Sequence, residues 1–463
     1  MMNMWIAEEQ ALQWYFLITD FAHMIAIYTN TVTNRLSYIL RLIFCDILGT
    51  EFELTTDKDK FLQHKGPRIS YTTERFDDGI LICPSGLLFE DKIEQQKLNV
   101  TEWEGMKIFY QTSGTADLPF DIFSASFYMV SRYKEYLPCR KDKFKRFEAT
   151  ESLAYEGRFL EEPVINQWSL KLKDILQKKY PDFKFPVQKF QFISTIDVDN
   201  AYAFKHKGLL RTTGASLRSL LHGDINDFIV RILTLTGNME DPYDTYDDIR
   251  LLEKKYGFTS LFFFLVGDYN RYDTNISLRK MPFRNLISII ASDHKVGIHP
   301  STASNKNIAI LQKEINRLMK VLRNPVTMSR QHFLMLEMPA TYQRLIEAGI
   351  LEDYSMGYAS HTGFRAGICT PFRFYHLTEE KETDFVIHPF QVMDVTLQQY
   401  LKLNPDEAFE KIKILMDKVK KVKGTFIALW HNESLSDKGV WKGWRNVFEE
   451  TVRMGTEEVT SDE

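Results

Sequence analysis

Four cysteines are spread along 463 residues, and none forms a C-x-x-C pair. That excludes a zinc knuckle and a disulfide-built scaffold, and it fits reduced thiols in a cytoplasmic protein. Excess basic charge is also missing. Net charge is −4, from 58 Lys and Arg against 62 Asp and Glu, so the overall footprint of a nucleic-acid binder is absent. There is no internal repeat and no low-complexity tract, which argues against a repeat array or a disordered linker protein. A long uninterrupted apolar run is lacking too. Residues 11–28 come nearest, but Asp20 and His23 break them, and neither a positive leader nor a small-residue cleavage site accompanies them. They read as neither signal peptide nor membrane span. Residues 1–23 are an uncertain extension, either a packed segment or upstream of the native start, with Met24 an alternative first residue.

What is present is ordinary for a globular chain: 44% hydrophobic and 26% charged residues. The length leaves room for two or three domains. The 34 Phe suit sheets, sugar-facing surfaces and a plain core equally. Leu36, Ile39, Leu40, Ile43 and Phe44 recur at helical spacing. Short strand-like pieces follow at 68–71, 79–82 and 107–110, then helices at 121–136 and 167–178. Residues 24–187 therefore read as a smaller α/β or α+β domain with its linker, closed by Pro181 and Pro186.

From 188 to 450 the rhythm becomes strand, helix, strand. Residues 259–267 (TSLFFFLVG) form a continuous apolar run, as a doubly buried parallel strand requires. Thr245 and Asp248 are spaced as a capping box, and Asn404-Pro405 opens another helix. Residues 205–238 look like a polar and basic insertion near the site. The alternation predicts a parallel α/β sheet or a β/α barrel, with an acidic tail at 451–463.

Polar residues at strand ends carry the chemistry. The stretch QFISTIDVDNAY ends an apolar strand in Asp197 and Asp199, candidates for a base and a metal ligand. His299 ends the next-but-one strand and suits a divalent ion such as zinc. Arg330 and His332 alternate, as on one strand face. Arg365 sits in GFRAG, where Gly363 and Gly367 allow tight backbone. Asp394 could orient His431, which ends the last strand beside Trp430 and could act as a general acid. Taken singly, each of these also fits an ordinary structural role.

Taken in order, the motifs resemble the polysaccharide deacetylase family (NodB homology, carbohydrate esterase family 4). They are TIDVD, TSLFFFLVG, DHKVGIHPS at 293–301, FRAG at 364–367 and LWH at 429–431. The resemblance covers roughly residues 192–445. The part before it is similar to an accessory domain that precedes such catalytic domains in Bacteroidetes proteins. The resemblance implies a deformed (β/α) barrel of NodB type and an acetylated sugar or glycoconjugate as substrate. Asp197 would be the base, paired with Arg365. Asp199 and His299 would hold Zn2+ or a similar ion, and His431 with Asp394 would be the acid. Trp430 and Arg330 would contact the sugar. One position departs from the family: the second metal histidine, four residues after His299, is Ala303. His332 is the candidate replacement, and His294 a weaker one. A cytoplasmic setting would favour a nucleotide- or lipid-linked precursor. Two alternatives stay open: a sugar-nucleotide glycosyltransferase using the D-x-D, and a sugar-binding homologue without activity.

Overall fold

Apolar runs without alternation can only be buried on both faces, and they form the centre of the fold. A computed structural model describes residues 24–112 and 114–457. The expectations for residues 1–23 and for the end of the acidic tail lie outside the described residues. Two sheets carry the architecture. The first is parallel and has the order β2-β1-β3-β4. Its strands are β1 (Ile25–Thr29), β2 (Phe52–Thr55), β3 (Arg68–Tyr71) and β4 (Ile80–Ile82). A hairpin of β5 (Thr101–Trp103) and β6 (Met106–Ile108) follows.

The second sheet has nine strands. They are β7 (Gln191–Val198), β8 (Leu261–Leu265), β9 (Val296–His299), β10 (Met328–Ser329), β11 (Glu352–Asp353), β12 (Phe372–His376), β13 (Lys381–Ile387), β14 (Val392–Met393) and β15 (Thr425–His431). Their order is β12-β13-β11-β10-β9-β8-β7-β15-β14. Every neighbouring pair is parallel except β12 and β13. The sheet is a curled half-barrel with β12 and β14 at its open edges, a deformed (β/α) barrel.

Helices follow the predicted periodicity with local exceptions. The first apolar stripe forms α1 (Asn34–Arg41) and continues as a π-helical turn, Leu42–Ile47. The helix expected over 121–136 stops early as α2 (Ile122–Val130), because Arg132 takes a left-handed φ of 56°. The next, α3 (Val164–Lys179), is longer than expected. The 205–238 insertion folds into α4 (Leu209–Leu221) and α5 (Ile225–Leu235). At α6 (Tyr246–Tyr256) the Thr245 hydroxyl makes no cap; it donates to the Asn432 carbonyl instead. Between barrel strands come α7 (Met281–Ala291), α8 (Ile308–Leu322) and α9 (Pro405–Lys421), and α10 (Trp444–Thr456) follows β15. The start of α9 is a capping box between Asn404 and Glu407.

The two sheets share one apolar core cluster, running from Ile25 to Val452. Polar links between the turn after α2 and the segment around Arg365 lie inside it. Arg365 grips Glu135 with two bonds, Nε to Oε1 at 3.0 Å and Nη2 to Oε2 at 2.7 Å. Arg132 shares that carboxylate at 2.8 Å and also donates to the Arg365 carbonyl. Burial opposes charge on Glu135, but Arg365 and Arg132 outweigh it and hold its carboxyl below the usual range. Gly363 makes the close approach possible. Its φ is +116°, and a Cβ there would stand 2.4 Å from the Leu160 carbonyl oxygen. The neighbouring Phe364 N–H donates to that same oxygen at 2.8 Å. An Arg365→Met variant leaves Glu135 buried with one partner fewer, and should cost about 3–5 kcal/mol of stability. Urea denaturation reads this directly; a loss below about 1 kcal/mol would mean the pair does not hold the Glu135 turn to the Arg365 segment.

Candidate metal centre

Parallel strands bring their C-terminal ends to one rim, and the chemistry-bearing residues collect there. Asp197 lies at the end of β7 and Asp199 just past it. On the paired strand β15, His431 is the register partner of Asp197. His299 ends β9. β10 stops at Ser329, so Arg330 and His332 do not share a strand face as expected; His332 instead opens a 3-10 turn, His332–Leu334.

One ligand atom each from Asp199, His299 and His332 lies within 4.8 Å of the others. His299 Nε2 is 3.1 Å from Asp199 Oδ1, and His332 Nε2 is 3.3 Å from Oδ2. His431 Nε2 stands 3.8 Å from the same Oδ2. Each ring is turned inward by what its other nitrogen holds. His299 Nδ1 donates to the Arg330 carbonyl. His332 Nδ1 is 2.7 Å from Asp273, and His431 Nδ1 is 2.8 Å from Asp394. Asp394 also accepts the His431 backbone N–H at 2.7 Å. A histidine fixed this way offers a lone pair at Nε2.

The residues fit a divalent ion. Asp199 Oδ1 is buried and accepts no hydrogen bond, although His299 Nε2 is 3.1 Å away. With Nδ1 the donor, that contact sets lone pair against lone pair, which needs a cation or a proton beside it. The electrostatics agree. Burial opposes charge on Asp199, yet His332 and His299 hold it well below the usual carboxylate range. Burial pulls His332 down, but Asp199 and Asp273 carry it up to about 9. Burial likewise opposes His431, and Asp394, then Asp199 and Asp197, carry it up to about 10. Two imidazoles and a carboxylate oxygen are a donor set that suits zinc.

Other expected residues fall elsewhere. Arg365 is beside Glu135, not Asp197, because the 3-10 turn after α2, Tyr133–Tyr136, packs against its segment and supplies the carboxylate. Arg330 takes the Asp197 position. It is fully buried, with Nη1 3.4 Å from Asp197 Oδ1 and 2.8 Å from Thr195 Oγ1. No surface of Arg330 is left for a sugar. Trp430 points away from the site. On a strand its side chain opposes those of Leu429 and His431, and it is buried against Trp444 and Phe448. His294 is held by Glu253 at 2.7 Å and takes no part in the cluster. The position at Ala303 carries no ligand atom; the second imidazole comes from His332.

A pocket of about 310 Å³ opens over the cluster. Residues from three stretches around the cluster were not legible as such. Asp273, behind His332, lies in the loop after β8; its place past a strand end was the available signal. Glu433 lines the pocket two residues beyond His431, and burial pushes its carboxyl up. Lys143, Phe144 and Arg146 form another wall. Phe144 stacks on Phe333 at 4.8 Å, and Arg146 donates to the Phe333 carbonyl at 2.7 Å. In sequence, residues 140–158 show only a charged, loop-like stretch.

Residues 25–181 match a family of unknown function, DUF7033. No curated protein matches the chain. Among solved structures it is similar to a putative polysaccharide deacetylase from Mycobacterium smegmatis, at 16% identity and a TM-score of 0.38, over 58% of this chain and 87% of that one. A probable polysaccharide deacetylase from Pseudomonas aeruginosa PAO1 aligns at 11% identity and a TM-score of 0.36, over 65% and 90%. The Puue allantoinase aligns at 11% and 0.38, over 59% and 86%. No helix among the described residues is long and apolar enough to cross a membrane.

Two measurements test the centre. Zinc titrated into chelator-treated protein should bind one ion per chain. His332→Ala should abolish this, and Asp273→Asn should weaken it by about 10–100-fold. Unchanged affinity in His332→Ala would remove His332 from the ligand set. The second measurement is melting temperature against pH. His332 and His431 are raised from an ordinary 6.5 to about 9 and about 10. In metal-free protein the stability they contribute is complete below about 6.5 and is lost as pH rises through 9 to 10. Melting should therefore fall across that range without metal. Zinc binding needs neutral Nε2, so zinc affinity should rise over the same range.

Proposed function

We propose that the chain is a metal-dependent hydrolase that removes an acetyl group from a 2-amino sugar or glycoconjugate. One observation carries this reading: Asp197 and His431, register partners on adjacent strands, flank the cluster of Asp199, His299 and His332. A base and an acid on either side of a metal centre are what acyl hydrolysis requires. The order of the five motifs favours an amide of an acetylated sugar over other acyl groups.

Asp199, His299 and His332 would hold the ion, with zinc the best match to two imidazoles and a carboxylate. Such an ion would supply a Lewis acid for the acyl oxygen and acidify a water. Asp197 accepts the proton of the attacking water. Arg330, fixed beneath it with Nη1 3.4 Å from Oδ1, orients Asp197. His431, charged through Asp394, delivers a proton to the leaving nitrogen. Asp273 holds the His332 ring in the ligating tautomer. The pocket wall of Lys143, Phe144 and Tyr400 contacts the sugar. We assign residues 188–450 to the catalytic domain and 24–187 to a second domain that lends Lys143 and Phe144 to this wall. A D-x-D glycosyltransferase would leave His299, His332 and His431 without roles.

Acetate release from N-acetylglucosamine oligomers and nucleotide-linked N-acetylglucosamine, with zinc present, tests the reading. Release should depend on zinc. Asp197→Asn should cut kcat by about 10²–10⁴-fold while zinc stays bound. Zinc lost from that variant would show the two aspartates to be assigned in reverse. Zinc-loaded protein that releases acetate from no acetylated sugar would sink the proposal.

A further inference from the structure

The helical hairpin α4–α5 is built inside out. A surface helix normally turns its apolar stripe to the core. Here the inward face of α5 is polar: Arg231 and Thr234 are buried, and Arg231 lies over the Phe204 ring at 4.6 Å. Ser219 of α4 donates to Asp227 of α5 at 2.5 Å, closing the hairpin with a polar contact. The outward face is apolar. Ile225, Ile229 and Ile232, at i, i+4 and i+7, are 61%, 48% and 41% exposed. On α4, Leu217 is 59% and Leu221 76% exposed. Exposed singly such residues mean little, but a continuous stripe marks a contact surface.

A basic groove of about 1160 Å³ adjoins the hairpin. Lys207, Arg211, Arg279, Lys280, Arg284 and Lys320 line it. Its acidic lining residue, Asp268, is already paired with Lys313 at 3.0 Å and Arg317 at 2.8 Å. Burial, and then Arg211, pull Lys207 down to about 8. Arg211 joins the two features. It belongs to α4, lies over the Tyr269 ring at 4.4 Å in the groove, and donates to the Thr274 carbonyl at 2.6 Å.

We infer that α4–α5 docks on an anionic lipid surface, with its leucines and isoleucines in the acyl–headgroup boundary and the basic groove over the headgroups. Apolar stripe plus adjacent cations is the pairing that interfacial helices use. A second copy of the chain fits less well. A twofold contact through this face would set two basic grooves near each other, like charge against like. The inference does not depend on the hydrolase reading. If both hold, the anchor sits at the root of the metal centre, since Asp241 binds the N–H groups of Ala203 and Lys205, only a few residues after Asp199.

Flotation of the full chain with vesicles tests it, with no turnover needed. The protein should float with vesicles of equal parts phosphatidylglycerol and phosphatidylcholine, and only weakly with phosphatidylcholine alone. Replacing Leu217, Leu221, Ile225 and Ile229 by Ser should abolish flotation while leaving zinc affinity unchanged. Lys280→Ala with Arg284→Ala should weaken it by on the order of tenfold, and high salt should mimic this. No flotation with anionic vesicles, or flotation unchanged in the four-serine variant, overturns the inference. A concentration-dependent dimer that the serine variant abolishes, without vesicle binding, would overturn it and assign the face to a second copy.

Discussion

Three imidazoles face one carboxylate, and each is kept there by a bond on its far side. His299 is tied to a backbone carbonyl, His332 to Asp273 and His431 to Asp394. Free rings in a buried, acid-rich site would rotate, protonate at either nitrogen and scatter. The anchors remove that freedom before any ligand arrives, so ordering is already done when an ion binds. They also differ in kind. A neutral carbonyl supports His299, whereas carboxylates support His332 and His431 and draw both towards the protonated form. The same device thus orients all three rings, whichever kind of group supports them.

The scaffold makes those anchors rigid. Asp273, Asp394 and Arg330 come from three different loops, yet all are buried. Their loops hang from parallel strands with fixed register, so the placing of each carboxylate follows from the sheet. The N-terminal part of the chain contributes as well. Glu135, in the 3-10 turn after α2, satisfies Arg365, and the 143–146 segment closes the pocket. The packed core gives no break between the parts that would let them move apart freely.

Periodicity showed the barrel strands and most helices, because burial imposes it directly. Strand ends showed Asp197, Asp199, His299 and His431, since parallel strands share one rim. His332 was legible only as a gap to be filled: Ala303 left a place, and His332 was the histidine that a nearby strand end could supply. Pairings were harder. Arg365 and Arg330 are both arginines after short strands, and the sequence does not say which reaches Asp197. That depends on Glu135, over two hundred residues away. Trp430 was readable in principle, because alternation places it opposite His431. The α4–α5 insertion read as polar and basic; its apolar residues are outward, a fact of tertiary packing that composition hides.

The pocket wall at 143–146 has a consequence for how such a protein can change. The residues that would react sit at or just past the ends of barrel strands, while this part of the wall comes from a different stretch of chain. Substitutions there can alter which molecules enter and leave the reacting groups alone. Recognition and reactivity are thus inherited on separate segments, and selection can revise the first without rebuilding the second.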